Sequence, residues 1–457
     1  MKILVINGSP KGRHSITFRH IQYFMKENPE QDFGILQVAN RIGKIESDEA
    51  LFNEILDKMA GADAIIWSFP VYYALVPAQL KRFVELLFER CPAGCFKGKY
   101  TTSFTTSINF FDHTAHNYMQ GICEALGFSY VKSYSANMHD FFKEDQRTRM
   151  AGFYGWFVEM VEKKIPVARK YPPVEMNAVA YTPGPVEDVG ISSDQRVLVL
   201  TDAMEADTNL KQMVEVFEKS SAMPVEVKNL HDIDMKRGCL GCCTCGYDNT
   251  CVQNDGYVSF FNENLKKADI LIFAGTVKDH YLSSTWKKFF DRSFFNGHVP
   301  VFMGKRLGYI ISGPFSQVPN LGELLDLLGD IWHMKSTGLV TDEHGTSEEI
   351  TAHIQGFAGD LELANSRGLE FAPRFYRVGG YKLFRDFIYN ASAVFAADHL
   401  FYKQHGFYRD FPQRRIKKRF SNAMFKALLS IKPIRKRIHK DFIAGMVAPY
   451  EKVLNKN

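Results

Sequence analysis

The feature that most constrains the fold of this 457-residue chain is a repeat on the scale of a whole domain. Residues 3–6 (ILVI) and 197–200 (VLVL) both have the pattern of buried strands, and residues 61–67 (GADAIIW) have a counterpart in residues 267–273 (KADILIF). After the first loops, equivalent positions lie close to 206 residues apart. Short apolar strands that alternate with helical segments are typical of a parallel sheet with helices on both faces. The sequence therefore predicts two tandem, doubly wound α/β domains, with one large sheet and fortuitous similarity as the alternative.

The repeat also predicts where the chain divides. We expect the two copies at residues 1–165 and 194–350. Between them, residues 166–193 contain prolines that can continue neither a helix nor a central strand, so this stretch is interpreted as a linker. Residues 351–457 form a C-terminal extension, in which residues 414–438 have the pattern of basic amphipathic helices.

The positive charge of the chain is concentrated in this extension. Residues 401–457 hold fifteen Lys or Arg and three Asp or Glu, a net charge of +12, whereas residues 1–400 hold 41 and 48, a net charge of −7. Such a tail can contact an acidic redox partner, an anionic membrane surface or the acidic body of the same chain. Nucleic acid is disfavoured because no basic motif interleaved with aromatic residues is present.

Composition excludes several classes of protein. A chain with 46% hydrophobic and 23% charged residues is not disordered over most of its length. It contains no apolar run of roughly 18 residues, which a membrane-spanning helix needs, and its first residues become polar too soon for a secretory signal. We therefore expect a cytoplasmic protein. Eight cysteines are too few for a disulfide scaffold, and five of them lie within residues 239–251, which points to metal or redox chemistry.

The turn after the first strand has the composition of a phosphate-binding loop. Residues 7–17 (NGSPKGRHSIT) combine small, hydroxylated and basic side chains directly before a helical pattern. Backbone N–H groups, hydroxyl groups and the positive end of a helix dipole favour a phosphate at such a point. A serine-capped helix after a glycine turn is the purely structural alternative. The candidate phosphate ligands are Gly8, Ser9, Pro10, Lys11, Ser15 and Thr17.

This loop resembles the FMN phosphate loop of the flavodoxin-like NAD(P)H-dependent FMN reductase superfamily. Residues 68–83 are similar to that family's turn with a Pro-x-Tyr segment beside the isoalloxazine ring. The resemblance implies a flavodoxin-like strand order, FMN as cofactor and NAD(P)H as a possible electron donor, with both loops beyond the carboxyl ends of the strands. It also implies that Tyr72 or Tyr73 stacks on the ring. The candidate flavin contacts outside the phosphate loop are Pro70, Val71, Tyr72, Tyr73, Thr106 and Ser107.

The equivalent turn of the second copy has a different chemistry. Residues 201–210 (TDAMEADTNL) contain no glycine, and they place the carboxylates of Asp202, Glu205 and Asp207 where a phosphate would lie. Like charges about 4 Å apart repel by several kcal/mol at an intermediate dielectric. We therefore predict that the second copy does not bind FMN in the usual place.

The second copy carries a cysteine motif instead. Cys239, Cys242, Cys245 and Cys251 follow the spacing C-x2-C-x2-C-x5-C, and the intervening glycines let the loop wrap around a small body. Four thiolates without histidine fit a [4Fe-4S] cluster or an all-cysteine zinc site, and free or redox-active thiols are the third alternative. Cys243 can replace Cys242 as a ligand.

The cysteine motif resembles that of the iron-sulfur flavoprotein branch of the same superfamily, which implies a [4Fe-4S] cluster. In that branch the flavin loop and the cysteines lie on one domain, and such domains commonly dimerise. Here the two features are divided between the copies. We therefore expect an internal pseudo-dimer, with a homodimer also possible, in which residues 239–251 lie near Tyr72 and Tyr73.

Two classes of function follow from this interpretation. The first is an FMN-dependent oxidoreductase that uses NAD(P)H and passes electrons through a [4Fe-4S] relay to a small molecule or a redox protein. The second is a non-catalytic electron carrier, or a sensor whose cluster or zinc reports redox state. No side chain is assigned as a catalytic acid or base.

Overall fold

Two parallel sheets organise the chain, and the computed structural model describes residues 1–92, 94–176, 180–186 and 194–440. The first sheet consists of β1 (Lys2–Asn7), β2 (Asp32–Gln37), β3 (Ala64–Pro70), β4 (Tyr100–Ser107), β5 (Ser129–Tyr130) and β6 (Tyr134–Asn137). Its helices are α1 (Ile16–Glu27), α2 (Ile42–Ser47), α3 (Glu49–Ala60), α4 (Ala78–Arg90), α5 (Asp112–Ala125) and α6 (Glu144–Glu162). The strand order is β2-β1-β3-β4-β5, and β6 continues the edge beside the second half of β4.

The second sheet repeats this order. It consists of β7 (Val197–Thr201), β8 (Val225–Asn229), β9 (Ile270–Thr276), β10 (Arg306–Ser312) and β11 (Lys335–Thr341). Its helices are α7 (Thr208–Ser220), α8 (Tyr257–Phe260), α9 (Ser284–Arg292), α10 (Pro319–Ile331) and α11 (Ser347–Ser366). The order β8-β7-β9-β10-β11 is that of the first sheet, strand for strand, and all pairs are parallel. The predicted fold class, two flavodoxin-like parallel-sheet domains, is confirmed.

Local signals explain where several helices begin. Ser15, Asp48 and Ser283 each accept a hydrogen bond from a backbone N–H in the first turn of the helix that follows. Thr346 forms a capping box at the start of α11. The central strands β1, β3, β7, β9 and β10 are buried almost throughout, because helices cover both faces of each sheet.

The two domains share a hydrophobic core. One cluster of buried side chains joins the facing helices and strands of both sheets, from Leu4 and Trp67 in the first domain to Trp286 and Trp332 in the second. Separate clusters fill the outer face of each sheet. Helices α4 and α9, which occupy equivalent places in the repeat, pack against each other at the centre of this interface.

Contacts across this interface occur in reciprocal pairs. The ammonium group of Lys81 donates to the carbonyl oxygen of Lys278 at 3.1 Å, and that of Lys287 donates to the carbonyl oxygen of Tyr72 at 3.0 Å. Lys287 is the repeat equivalent of Lys81, and Lys278 is that of Tyr72, each 206 positions later. The first domain therefore contacts the second as the second contacts the first, which is the pattern of an isologous interface.

The helix N-termini at the interface show the same reciprocity. The backbone N–H of Ala78 donates to the carboxylate of Asp291 at 2.8 Å, and that of Ser284 donates to the carboxylate of Glu85 at 2.6 Å. These four residues again form two equivalent pairs in the repeat. A carboxylate from each domain thus caps the interface helix of the other.

The remaining chain is mostly helical. Helix α11 packs against α7 and β11, and it extends to Ser366, beyond the boundary predicted at residue 350. It is followed by α12 (Phe375–Asn390), which packs against α10, and by α13 (Ala396–Gln404), α14 (Ile416–Ser430) and α15 (Lys432–Lys440). The chain divides into two compact units, residues 1–398 and 399–457. Within the described residues, no helix combines the length and the apolar character needed to cross a bilayer.

Candidate functional site

The predicted flavin loops meet at the carboxyl edge of the first sheet. The backbone N–H of Gly8 donates to the carbonyl oxygen of Ser68 at 2.8 Å, and that of Val71 donates to the carbonyl oxygen of Thr106 at 3.2 Å. The hydroxyl groups of Thr17 and Thr106 lie 2.6 Å apart. The ends of β1, β3 and β4 are therefore held together, as the strand order requires.

The phosphate-loop candidates lie on the short turn between β1 and α1. Ser15 caps α1, Thr17 is buried in its first turn, and the hydroxyl of Ser9 accepts from the backbone N–H of Lys11 at 3.3 Å. Gly8 cannot be replaced by a larger residue without movement, because a Cβ at this position would overlap the side chain of Leu80 on α4. The turn thus combines hydroxyl groups, a lysine and a helix N-terminus within one short segment, a composition that suits a phosphate group.

The two candidate tyrosines face different surroundings. Tyr73 has a positive φ of 42°, and its ring lies 4.5 Å from Phe294 and 6.3 Å from Trp332, inside the aromatic interface between the domains. Tyr72 packs edge-on against Phe294 at 5.4 Å, and its hydroxyl points toward the cysteine loop of the second domain. Burial raises the pKa values of both phenols above those of an ordinary tyrosine. Of the two, Tyr72 is the one that borders the phosphate loop.

The end of β4 supplies polar groups that are already partly engaged. The hydroxyl of Ser107 donates to the carboxylate of Asp112 at 2.5 Å and accepts from the backbone N–H of Asn109 at 2.7 Å. Thr106 is buried against Thr17. Both candidates, with Pro70 as the last residue of β3, therefore lie at the same strand edge as the phosphate loop.

The corresponding turn of the second domain is built differently. The carboxylate of Asp202 is buried and accepts a hydrogen bond from the hydroxyl of Ser283, and burial raises its pKa to about 6. Asp207 accepts from the backbone N–H of Met204 at 2.7 Å and from the hydroxyl of Thr276 at 3.3 Å. Carboxylates therefore occupy the place that hydroxyl groups and Lys11 occupy in the first domain.

The loop after β9 packs against the first domain, and it is the repeat equivalent of the loop that bears Tyr72 and Tyr73. Asp279 and His280 adopt positive φ values of 48° and 61°, as do Tyr73 and Ala74 at the equivalent positions. The carboxylate of Asp279 lies 3.5 Å from the ammonium of Lys81. Burial lowers the pKa of His280 to about 4, so this imidazole is neutral at pH 7.

The five cysteines of the motif line one cavity. Its other lining residues are apolar or amide side chains and the guanidinium of Arg292, and the sulfur-bearing residues are Cys239, Cys242, Cys243, Cys245 and Cys251. The sulfur of Cys239 accepts from the backbone N–H of Gly241 at 3.4 Å, and that of Cys251 accepts from the guanidinium of Arg292 at 3.8 Å. The five cysteines thus belong to one compact loop around this cavity.

The thiols of Cys239 and Cys245 in this loop are partly buried. Burial raises the pKa of Cys239 and that of Cys245 to about 12. Within the described part of the chain, no group of three or more His, Cys, Asp or Glu side chains is placed to hold a metal ion. Of the other cysteines, Cys91 and Cys95 form a disulfide, and Cys123 is buried in the first domain.

The cysteine loop lies directly on the candidate flavin loops. A Cβ added at Gly241, whose φ is +64°, would overlap the hydroxyl of Tyr72 and would lie 2.9 Å from the Cε of Lys11. Nearby, the carbonyl oxygen of Cys239 accepts from the side-chain amide of Gln79 at 3.2 Å. The structure therefore brings together the two features that the sequence places in different domains.

Three functional candidates were not predicted from the sequence. Arg292 donates two hydrogen bonds to Asp255, at 2.6 and 2.7 Å, beside the sulfur of Cys251. Lys287 and Phe294 both contact the loop that bears Tyr72. For Lys287 and Arg292, the sequence signal is a positive charge on the apolar face of α9.

Comparison with known proteins finds a similarity in the first domain. Residues 1–143 match the family model described as NADPH-dependent FMN reductase. No curated protein sequence matches the chain.

Solved structures match over about one domain. An FMN-dependent NADH-azoreductase from Bacillus anthracis is 13% identical over 36% of this chain and 99% of its own, with a TM-score of 0.26. A flavoenzyme NAD(P)H:(acceptor) oxidoreductase from Paracoccus denitrificans is 18% identical over 35% of this chain and 97% of its own, with a TM-score of 0.30. An NADH:FMN oxidoreductase in its apo form is 21% identical over 34% of this chain and 87% of its own, with a TM-score of 0.30.

Proposed function

We propose that this chain is a cytoplasmic NAD(P)H-dependent FMN oxidoreductase, in which a [4Fe-4S] cluster of the second domain lies beside the flavin of the first. The observation that carries this proposal is the contact of Gly241 with Tyr72 and Lys11. Three separate segments of the chain meet here: the phosphate loop, the turn that bears Tyr72, and the cysteine motif. Their convergence at one place is the arrangement that electron transfer between two cofactors requires.

The first domain supplies the groups that would hold FMN. The turn between β1 and α1 presents hydroxyl groups, the ammonium of Lys11 and the N-terminus of a twelve-residue helix to the phosphate. Tyr72 offers an aromatic face at the ring side, and Lys287 of the second domain fixes the backbone of that turn at Tyr72. The buried acidic turn at Asp202 argues against a second FMN.

The cysteine loop has the chemistry of an iron-sulfur ligand set. A cluster of four irons is larger than a single ion, so its four thiolates lie farther apart than those of a zinc site. Cys239, Cys242, Cys245 and Cys251 are the proposed ligands, and all four residues line one cavity. The hydrogen bonds from Gly241 and Arg292 to two of these sulfurs would stabilise their thiolate form.

When bound, FMN would supply hydride chemistry and the cluster would supply single-electron chemistry, so the pair would couple two-electron to one-electron transfer. The residues of the chain position and shield these groups. Tyr72 packs edge-on against Phe294, and Leu240 lines the cysteine cavity, so these side chains would limit the access of water. NAD(P)H is the proposed donor, and a small molecule or a redox protein is the proposed acceptor.

We further propose that the two domains are copies of one ancestral domain arranged as an internal pseudo-dimer. The reciprocal contacts of Lys81 with Lys278 and of Lys287 with Tyr72 support this arrangement. Each copy would retain one part of the original site. The division of labour explains why the turn at Asp202 is acidic and why the first domain lacks the cysteine motif.

The test is cofactor analysis of the full chain purified without oxygen. We expect one FMN, about four irons and about four sulfides per chain, together with broad absorbance beneath the flavin bands. The protein should oxidise NAD(P)H when a generic acceptor is added, whereas a pure electron carrier should not accelerate this reaction. Colourless protein that cannot be reconstituted with FMN and iron would refute the proposal.

Cysteine variants separate the cluster from the flavin. Cys245→Ser should lose iron and keep FMN, and Cys123→Ala, which changes a buried cysteine outside the loop, should keep both. Cys242→Ser and Cys243→Ser should differ, because only one of these residues is a ligand. Zinc in place of iron in the anaerobically purified protein would favour a structural or sensory site instead.

A further inference from the structure

A stripe of exposed apolar side chains runs along α14 and ends at Ile431, directly after the helix. Its side chains recur every three or four residues, which places them on one side of a helix. Each is exposed to solvent, by 40% for Leu428 and by 72% for Ile416 at the two extremes. The stripe consists of Ile416, Phe420, Met424, Leu428 and Ile431, and Phe425 is also exposed. Large apolar side chains in such a row are a recognised mark of an interaction surface.

The same segment is strongly and uniformly basic. Residues 411–440 contain eleven Lys or Arg and no Asp or Glu. Helix α14 has no acidic residue in its first turn, and α15 continues the basic sequence with Arg435 and Arg437. Arg415 pairs with Asp410, which directly precedes residues 411–440. The segment therefore combines an apolar stripe with a surplus of positive charge that these residues do not neutralise.

This combination selects among the possible partners. A nucleic acid would neutralise the charge but would leave the row from Ile416 to Ile431 in water, because phosphate groups offer it no apolar surface. An acidic protein surface has the same deficiency unless it also contains a deep apolar groove. A bilayer with anionic headgroups satisfies both needs, because apolar side chains enter the acyl boundary while Lys and Arg contact the headgroups.

We propose that α14 and α15 form a peripheral docking segment for an anionic membrane surface. The apolar stripe and the basic residues act as the two signals that reversible membrane attachment needs. A helix of fifteen residues is about 22 Å long and lies along the surface rather than across it. This inference does not depend on the cofactors of the first 366 residues, so it can fail while the proposed oxidoreductase function holds.

The test is cosedimentation of the full chain with vesicles of defined composition. With equal parts of phosphatidylglycerol and phosphatidylcholine, the chain should pellet, whereas with phosphatidylcholine alone it should stay in the supernatant. Raising the salt from about 0.1 M to about 0.5 M should reduce the bound fraction, because the Debye length shortens from about 10 Å to a few ångström. Failure to pellet with the anionic vesicles at low salt, or equal pelleting with neutral ones, would overturn the proposal.

Substitutions in the stripe identify the segment responsible. Phe420→Glu combined with Leu428→Glu should weaken binding to anionic vesicles by about tenfold or more, since both side chains lose their apolar contact. The matched control is Phe142→Glu, which changes an equally exposed phenylalanine of the first domain (78% exposed) and should leave binding unchanged. Equal loss in both variants would assign binding to another surface.

Two further outcomes would replace the membrane by a different partner. If the chain dimerises in light scattering and the double variant is monomeric, while neither binds vesicles, the stripe joins two copies of the chain. If the wild type and the double variant bind a random single-stranded RNA equally well and neither binds vesicles, the basic residues serve nucleic acid. Circular dichroism should show the wild-type helix content for all variants, because the substituted side chains are exposed.

Discussion

Two buried lysines at the domain interface should both stabilise the fold but have unequal effects on flavin binding. Lys287 donates to the carbonyl oxygen of Tyr72, on the turn that borders the proposed flavin, and it pairs with Asp291. Lys81 donates to the carbonyl oxygen of Lys278, on the equivalent turn of the second domain. Both ammonium groups are buried. The repeat thus provides a matched control within one molecule.

The structure sets the expected magnitudes. Removal of one partner of a buried ion pair costs about 3–5 kcal/mol in stability, because the other charge stays buried without compensation. Lys287→Met leaves the buried Asp291 without its ammonium partner. Lys81→Met removes the ammonium at 3.3 Å from Glu85 and 3.5 Å from Asp279, but Glu85 keeps the guanidinium of Arg82 at 3.1 Å, so the loss of stability should be smaller. Hydrogen bonds to a charged donor contribute about 1.5–3 kcal/mol. If that energy holds the Tyr72 turn in place for flavin, Lys287→Met should weaken FMN binding by about 10- to 100-fold.

The assay pairs unfolding with flavin titration. Urea unfolding followed by circular dichroism should show a loss of stability for Lys287→Met and for Lys81→Met. Quenching of FMN fluorescence should show weaker binding for the first variant only, with the second within about twofold of the wild type. Where a single variant fails to fold, a double variant can remove both partners of an ion pair, which proteins tolerate better. The double variants are Lys287→Met with Asp291→Leu and Lys81→Met with Glu85→Leu.

Equal weakening of FMN binding by both variants would show that the effect is a general loss of stability. Unchanged binding in both would show that the position of the Tyr72 turn does not depend on the second domain. Either result would refute the reasoning that the second domain completes the flavin site of the first.

Two other predictions follow from the site. Gly241→Ala should destabilise the fold and weaken FMN binding, since its Cβ would overlap the hydroxyl of Tyr72. Adding Tyr72→Phe to this variant should partly restore its stability. Gly304→Ala is the control, because Gly304 has a φ of +82° and open space around it, and it should show only the backbone strain of about 1 kcal/mol. Burial raises the pKa of Asp202 to about 6, so the folded chain retains a proton that the unfolded chain releases, and stability falls as the pH rises from about 4 through 6. Asp202→Asn should therefore gain about 1–3 kcal/mol over the wild type in urea unfolding at pH 7 and almost nothing at pH 4. An equal gain at both pH values would contradict the raised pKa of Asp202. Equal effects of the two glycine substitutions would contradict the overlap at Tyr72.

Much of the fold could be predicted because it depends on periodic patterns. The apolar runs of β1 and β7 and the echo between residues 61–67 and 267–273 are local features of the chain. Buried parallel strands need such runs, and the constant offset shows that the order of elements is repeated. The α/β class and two sheets with a helical extension are accordingly confirmed.

The contacts of the candidate site could be predicted only in part. Ser15 caps the helix that directly follows it, so a turn between a strand and a helix reveals this residue. The separation of Tyr72 from Tyr73 could not be predicted, because adjacent residues of equal chemistry differ only in what packs against them. The same applies to Arg292, whose guanidinium reaches Asp255 and Cys251 from another element.

The sequence by itself determined the two sheets, the phosphate-type loop, the acidic turn of the second domain and the cysteine spacing, because each is written in consecutive residues. Only the tertiary structure decided that the cysteine loop rests on Tyr72 and that Lys287 holds this turn from 215 residues away. Contacts of that kind depend on how α4 and α9 pack, and packing depends on the shapes of both surfaces at once. The physical unit of the proposed function is therefore the interface between the two domains.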